Sequence, residues 1–139
     1  MVPSVSFTNS VSSDSKSSFT ILLAEDEVVV RNLLQKILSK QGYDVMAGAN
    51  GYEALLLAKA HVGHIHLLVT DIQMPEMNGF DLAALLKVER PDTGILMMSG
   101  RYSDDLGQLT PETPFIRKPF LPKILLERVH ELLVGKPAI

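Results

Sequence analysis

Short apolar runs alternate along this chain with segments whose apolar residues recur at helical spacing. The runs Ile21–Ala24, Leu67–Thr70 and Ile95–Met98 have the length and content of strands buried on both faces. Shorter runs through Val45 and Met46 and over Phe115–Arg117 bring the number of predicted strands to five. Between them, Val30, Leu33, Leu34, Ile37 and Leu38 share one helical face, and Gly42 is placed to end that helix. Asn50 and Glu53 form a box-like cap for a second helix carrying Ala54, Leu57 and Ala58. Asn78 and Asp81 open a third, with Leu82, Leu85 and Leu86 as its stripe and Pro91 beyond its end. The last helix carries Leu125, Val129, Leu132 and Leu133, with Pro122 in its first turn.

Strands that alternate with helices pair in parallel, and right-handed crossovers cover both faces of the sheet. The expected architecture is an α/β three-layer sandwich of the flavodoxin-like kind, with a five-stranded parallel sheet in the order 2-1-3-4-5. Between Arg101 and Pro114 the breakers Gly107, Pro111 and Pro114 leave about two turns of helix near Asp104–Gln108, so the fourth helix is expected to be short or irregular. Residues 1–18 hold eight serines and no periodic apolar pattern, which reads as a disordered leader or linker. The folded domain is expected over residues 19–134, with 135–139 a short tail.

Four of the five strands end on residues suited to phosphoryl chemistry: Glu25 and Asp26 after the first, Asp71 after the third, Ser99 after the fourth, Lys118 after the fifth. In a parallel α/β sheet, ligands gather at the carboxyl ends of the strands, so these side chains are expected at one rim. Three carboxylates there repel one another unless a positive charge sits among them, and Mg²⁺ accepts such oxygen ligands. The expected metal ligands are Asp26 and Asp71 directly, Glu25 through water and the backbone carbonyl of Gln73. Lys118 adds a fixed positive charge. An ionised Asp71 can then attack phosphorus to give an acyl phosphate, while Ser99 donates a hydrogen bond to a phosphoryl oxygen.

Composition narrows the function classes. The 139 residues carry 13 basic and 16 acidic side chains, a net charge of −3, and no stretch concentrates Lys and Arg, which argues against direct nucleic-acid binding. The absence of cysteine removes disulfides and thiolate metal sites. No apolar stretch approaches the roughly 20 residues that span a bilayer, so no membrane segment is expected and the cytoplasm is the default location.

Four segments in order, Leu23-Ala24-Glu25-Asp26-Glu27, Asp71-Ile72-Gln73-Met74-Pro75-Glu76-Met77-Asn78-Gly79, Met98-Ser99-Gly100 and Phe115-Ile116-Arg117-Lys118-Pro119-Phe120, resemble the response-regulator receiver family. The resemblance implies a phosphoacceptor in two-component phosphorelay signalling. Asp71 would receive phosphate from a histidine kinase or histidine phosphotransfer protein, with Mg²⁺ or Mn²⁺ at Glu25, Asp26 and Asp71. It further implies phosphoryl contacts from Ser99 and Lys118, and a switch made of Ser99 and the aromatic Phe115. The chain is then a non-enzyme that assists its own phosphorylation and dephosphorylation, either standing alone or as the receiver end of a hybrid kinase, with a homodimer as a further partner class.

Two features depart from the family pattern. Lys118 follows Ser99 by 19 positions, a short interval that falls where the fourth helix belongs, and Leu121 stands where a capping Ser, Thr or Asp is usual. Gln73 and Arg101, each two positions past a site residue, are expected to shield the acyl phosphate and slow its hydrolysis. Taken singly, each motif has a plain structural reading; an acidic pair such as Glu25 and Asp26 also suits a helix N-terminus. Two other functions share the fold or the chemistry: a small Asp-nucleophile phosphohydrolase, in which a second acid would stand at the Gln73 position, and a receiver-like interaction module that is never phosphorylated. His61, His64 and His66 straddle a turn at Gly63 and are expected not to converge on a metal.

Overall fold

The computed structural model describes residues 19–100 and 112–135. They form β1 (Thr20–Ala24), α1 (Val28–Lys40), β2 (Asp44–Gly48), α2 (Gly51–Ala60), β3 (Leu67–Asp71), α3 (Gly79–Glu89), β4 (Gly94–Ser99), β5 (Phe115–Arg117) and α4 (Pro122–Val134). The strands make one parallel sheet in the order β2-β1-β3-β4-β5, the expected flavodoxin-like order. β1 and β3, in the centre, are buried at every position, which explains their unbroken apolar character.

Side chains of a strand alternate between faces, and the two cores follow that alternation. Ile21, Leu23, Leu67, Val69, Leu96 and Met98 face α1 and α4, where they meet Leu34, Leu38, Leu125 and Val129. Leu22, Ala24, Leu68 and Met97 face α2 and α3, where they meet Ala54, Ala58, Leu82 and Leu86. Met97 and Met98 therefore serve opposite layers. Small residues on the inward face of α2 let that helix lie close to the sheet.

The caps follow the sequence reading. Asn50 Oδ1 accepts from the Glu53 N–H at 2.8 Å, and Glu53 Oε1 reaches back to the Ala49 N–H at 2.6 Å. Asn78 Oδ1 accepts from the Asp81 N–H at 2.9 Å. After α1 the backbone turns left-handed at Gly42, with φ at 103°, a conformation that side chains with a Cβ resist. Leu121 precedes α4 without a side-chain cap, and Pro122 occupies the first turn.

Three stripe residues lie elsewhere than expected. Leu33, Leu85 and Leu132 are exposed, although each belongs to an apolar helical face. A helix laid on a sheet buries only the arc pointing at the strands, so residues at the margin of a wide stripe stay in solvent. The expected short helix near Asp104–Gln108, the leader 1–18, Arg101 and the end of the tail lie outside the described residues.

Candidate functional site

Parallel pairing puts the carboxyl ends of β1, β3, β4 and β5 side by side. Asp71 is in register with Met98, and Ser99 with Arg117, so the residues just beyond these positions share one rim. Backbone hydrogen bonds fix the loops that leave it: the Glu25 N–H donates to Gly48 O at 3.1 Å, Ile72 N–H to Met98 O at 2.8 Å and Lys118 N–H to Ser99 O at 2.8 Å. Asp26, Asp71, Gln73, Met74, Asn78 and Lys118 line the resulting open crevice.

Lys118 lies between two carboxylates. Its Nζ is 2.6 Å from Glu25 Oε1 and 3.2 Å from Asp71 Oδ2. Glu25 is fully buried, and its second oxygen accepts from the Glu27 N–H at 3.1 Å. Asp26 is exposed at the mouth. Burial pushes the Glu25 carboxyl above its ordinary range, and the hydrogen bond from Lys118 only partly offsets this. Burial likewise raises Asp71, against the Lys118 charge and a hydrogen bond from the Gln73 N–H, while the neighbouring Asp26 adds to the rise. For Lys118, burial opposes the charge, but the Glu25 hydrogen bond and the Asp71 field outweigh it and lift the ammonium above the usual lysine value.

One lysine does not neutralise three carboxylates. Ligand oxygens of Glu25, Asp26 and Asp71 lie within 4.8 Å of one another, and no other group of three or more His, Asp or Glu among the described residues converges in this way. Opposite ligands of an octahedral Mg²⁺ stand about 4.2 Å apart, twice a metal–oxygen distance of roughly 2.1 Å. Small side-chain rotations close the difference, so hard oxygen donors and uncompensated negative charge both fit a divalent cation.

The remaining residues are placed as follows. Ser99 is buried at the end of β4, beside the Asp71 strand. Phe115 is half-buried on β5 against the α2 and α3 layer, and the Arg117 guanidinium lies 6.0 Å from its ring centroid. The turn after Asp71 is held by the Gly79 N–H, which donates to Ile72 O at 2.8 Å. A Cβ on Gly79 would stand 2.5 Å from the Asp71 carbonyl oxygen, so only glycine lets α3 start this close to β3. His66 Nδ1 accepts from the Thr20 N–H at 2.9 Å, His61 Nε2 meets the His64 carbonyl at 3.2 Å, and the His64 ring lies 5.6 Å from that of His66; the three histidines have structural partners.

Sequence reasoning did not identify Arg31 as part of this region. Its Nη1 donates to the Glu25 carbonyl at 2.9 Å, a contact across six positions that helical periodicity does not reveal. Its polar side chain beside apolar Val30 was the available signal.

The family model for the response regulator receiver domain matches residues 21–130. The chain is 34% identical over 119 residues to the transcriptional regulatory protein CssR of Bacillus subtilis (strain 168), covering 84% of this chain and 52% of that protein. It is 36% identical over 123 residues to the sensor kinase CckA of Brucella abortus (strain 2308), covering 86% of this chain and 13% of that protein. It thus spans about half the length of the first relative and much less of the second. Among solved structures, Vibrio cholerae chemotaxis protein CheY4 superposes with a TM-score of 0.73 at 28% identity, over 83% of this chain and 98% of that one. The receiver domain from the hybrid histidine kinase CckA superposes with a TM-score of 0.70 at 32% identity, over 82% and 98%. A matching sequence pattern, sheet order and acidic crevice agree that this chain belongs to the response regulator receiver domain family of two-component systems.

Proposed function

We propose that this receiver takes a phosphoryl group from a histidine kinase or histidine phosphotransfer protein onto Asp71. The observation that carries the reading is the placement of the Asp71 carboxylate between Lys118, 3.2 Å away, and the acidic pair Glu25 and Asp26. A nucleophilic carboxylate, a cation-binding cluster and a fixed ammonium are the parts that in-line phosphoryl transfer needs. In the transfer, the N–P bond of a phosphohistidine breaks as an Asp71 oxygen bonds phosphorus, and the imidazole leaves with the electron pair.

Glu25, Asp26, Asp71 and the Gln73 backbone carbonyl are the proposed holders of Mg²⁺, or Mn²⁺, which supplies neutralisation of the transferring oxygens. Lys118 binds one of those oxygens, and the Ser99 hydroxyl donates to another. The added negative charge draws Ser99 and its loop toward Asp71, and Phe115 moves inward into the vacated space. Its ring is already half-buried, so apolar packing favours that movement.

The phosphodonor has a face to meet. α1 and α4 both begin at the crevice rim, and Val28, Val29, Leu121 and Ile124 are exposed beside Asp26 and Lys118 in the chain. An apolar helix bearing the donor histidine can rest there while its imidazole enters the crevice. The proposed setting is the cytoplasm, inside a regulator or a hybrid kinase; no helix among the described residues is long and apolar enough to cross a membrane. The receiver is a phosphoacceptor rather than an enzyme acting on separate substrates.

Incubation with acetyl phosphate and Mg²⁺, followed by intact-mass measurement, tests the reading. The native chain is expected to gain one phosphoryl group and Asp71→Asn none. An unmodified native chain would favour the interaction-module reading instead.

A further inference from the structure

We infer that Arg31 is a positioning residue for the cation site, acting on Asp26 through the backbone that precedes it. The inference rests on the reading of Glu25, Asp26 and Asp71 as cation ligands.

Glu25 is held at each of its polar groups. Its N–H donates to Gly48 O at 3.1 Å, its carboxylate meets Lys118 and the Glu27 N–H, and its carbonyl receives Arg31 Nη1 at 2.9 Å. Glu25 is fully buried in the short link between the end of β1 at Ala24 and the start of α1 at Val28, and a buried carbonyl outside regular structure needs a donor. The guanidinium fills that role, anchored on the first turn of α1 by the Arg31 N–H bond to Glu27 O at 2.8 Å.

That carbonyl belongs to the peptide plane linking Glu25 to Asp26. A planar peptide has no internal freedom, so fixing its oxygen fixes the direction in which its nitrogen enters Asp26. Asp26 itself is exposed and lies at the crevice mouth, so its carboxylate depends on the backbone for its aim. The Arg31 bond thus keeps the exposed member of the acidic cluster within 4.8 Å of the two buried ones. Arginine is suited to holding this carbonyl because it stays charged and presents a rigid fork of donors at the end of a long side chain.

The test compares Arg31→Ala and Arg31→Lys with Arg90→Ala. Arg90 also satisfies backbone carbonyls, those of Ala58, His61 and Gly63, but at the opposite rim of the sheet. Mn²⁺ affinity by electron paramagnetic resonance, and the Asp26 and Glu27 amide shifts of the metal-free proteins, are measured well below each thermal midpoint. Arg31→Ala is expected to bind Mn²⁺ about 10–100-fold more weakly, the range usual for partners that orient a metal ligand. Arg31→Lys is expected to fall between it and the parent, and only the Arg31 variants are expected to move the Asp26 amide. Arg90→Ala should lower the thermal midpoint and leave Mn²⁺ affinity unchanged. Parent-like affinity in both Arg31 variants would overturn the inference while leaving the phosphoacceptor reading intact. Failure of the parent to bind Mn²⁺ would defeat that reading first. If Arg31→Ala does not fold, the lysine variant carries the comparison, and parent-like affinity and amide shifts in it count against the inference.

Discussion

Lys118 is bound more closely to Glu25 than to Asp71, at 2.6 Å against 3.2 Å, so in the resting protein the lysine is chiefly the partner of a buried glutamate. Removing one member of a buried pair leaves the other uncompensated, typically at a cost of about 3–5 kcal/mol. Lys118→Ala is expected to lose about 3 kcal/mol in urea unfolding without metal, the low end because the lysine is partly exposed. Glu25→Gln in the same chain should return a large part of the loss, since no buried charge is then stranded. A single variant as stable as the parent would show that the ion pair does not hold Glu25 in place.

Asp71 is more easily protonated in the folded chain than in the unfolded one, with burial the leading cause. A group with a raised folded pKa contributes stability below its unfolded value, near 3.8, and loses it as pH rises through the folded pKa. At neutral pH the ionised carboxylate therefore works against the fold when no cation is present. Asp71→Asn is expected to stabilise the metal-free protein by on the order of 1 kcal/mol, or about 3 °C in thermal midpoint. Adding Mg²⁺ should raise the parent's midpoint and shift the variant's less. A variant less stable than the parent in chelator would contradict this account of the site.

The strands and their order were legible because β1, β3 and most of β4 are buried on both faces and so carry unbroken apolar runs. The caps at Asn50 and Asn78 were legible for a local reason: each bond closes over three residues. The convergence of Asp71, Asp26 and Lys118 could be anticipated because strand ends in a parallel sheet share a rim. Leu33, Leu85 and Leu132 could not be separated from their buried neighbours, since periodicity reports an angle around the helix and not the width of the surface that covers it. Arg31 and Arg90 escaped for a related reason. Arg31 satisfies one backbone carbonyl and Arg90 three, each through a long side chain, and nothing in the spacing of residues says where a guanidinium will end.

Gly79 is a steric requirement of the turn that follows Asp71. Its added Cβ would sit 2.5 Å from the Asp71 carbonyl oxygen and 3.1 Å from Ile72 Cα, both backbone atoms that a side-chain rotation cannot clear. Gly79→Ala is expected to cost about 2–3 kcal/mol as the start of α3 backs away from β3. Because that movement shifts the Asp71 loop, phosphorylation by acetyl phosphate should slow as well. Chemical denaturation and a phosphorylation time course check the two effects separately.

Glu76, in the same loop, has the opposite sign. Its φ of 70° places a residue with a Cβ in the left-handed region, at a cost of about 1–2 kcal/mol. Glycine removes that cost but loses more backbone entropy on folding, about 0.5–1 kcal/mol. Glu76→Gly is therefore expected to stabilise by about 0.5–1 kcal/mol in chemical denaturation. A destabilised variant would mean that the carboxylate makes a contribution larger than the backbone strain.

His66 ties the amino end of β1 to the loop before β3. Its Nδ1 accepts the Thr20 N–H at 2.9 Å, so the neutral ring carries its proton on Nε2, and Phe19 packs edge-on at 5.2 Å between centroids. Burial lowers its pKa below the ordinary 6.5, helped by the nearby His64 and His61. A depressed folded pKa means that the stability is complete above the unfolded value and is lost as pH falls through the folded one. Protonation would set one N–H against another and end the bond to Thr20. The urea midpoint is thus expected to drop as pH falls below about 6.5, before most carboxylates titrate. His66→Asn, which keeps an acceptor without a titrating ring, should flatten this part of the curve. The ring can also be followed directly by NMR: its apparent pKa should lie below the ordinary 6.5, and a value at or above that would remove the basis for the effect.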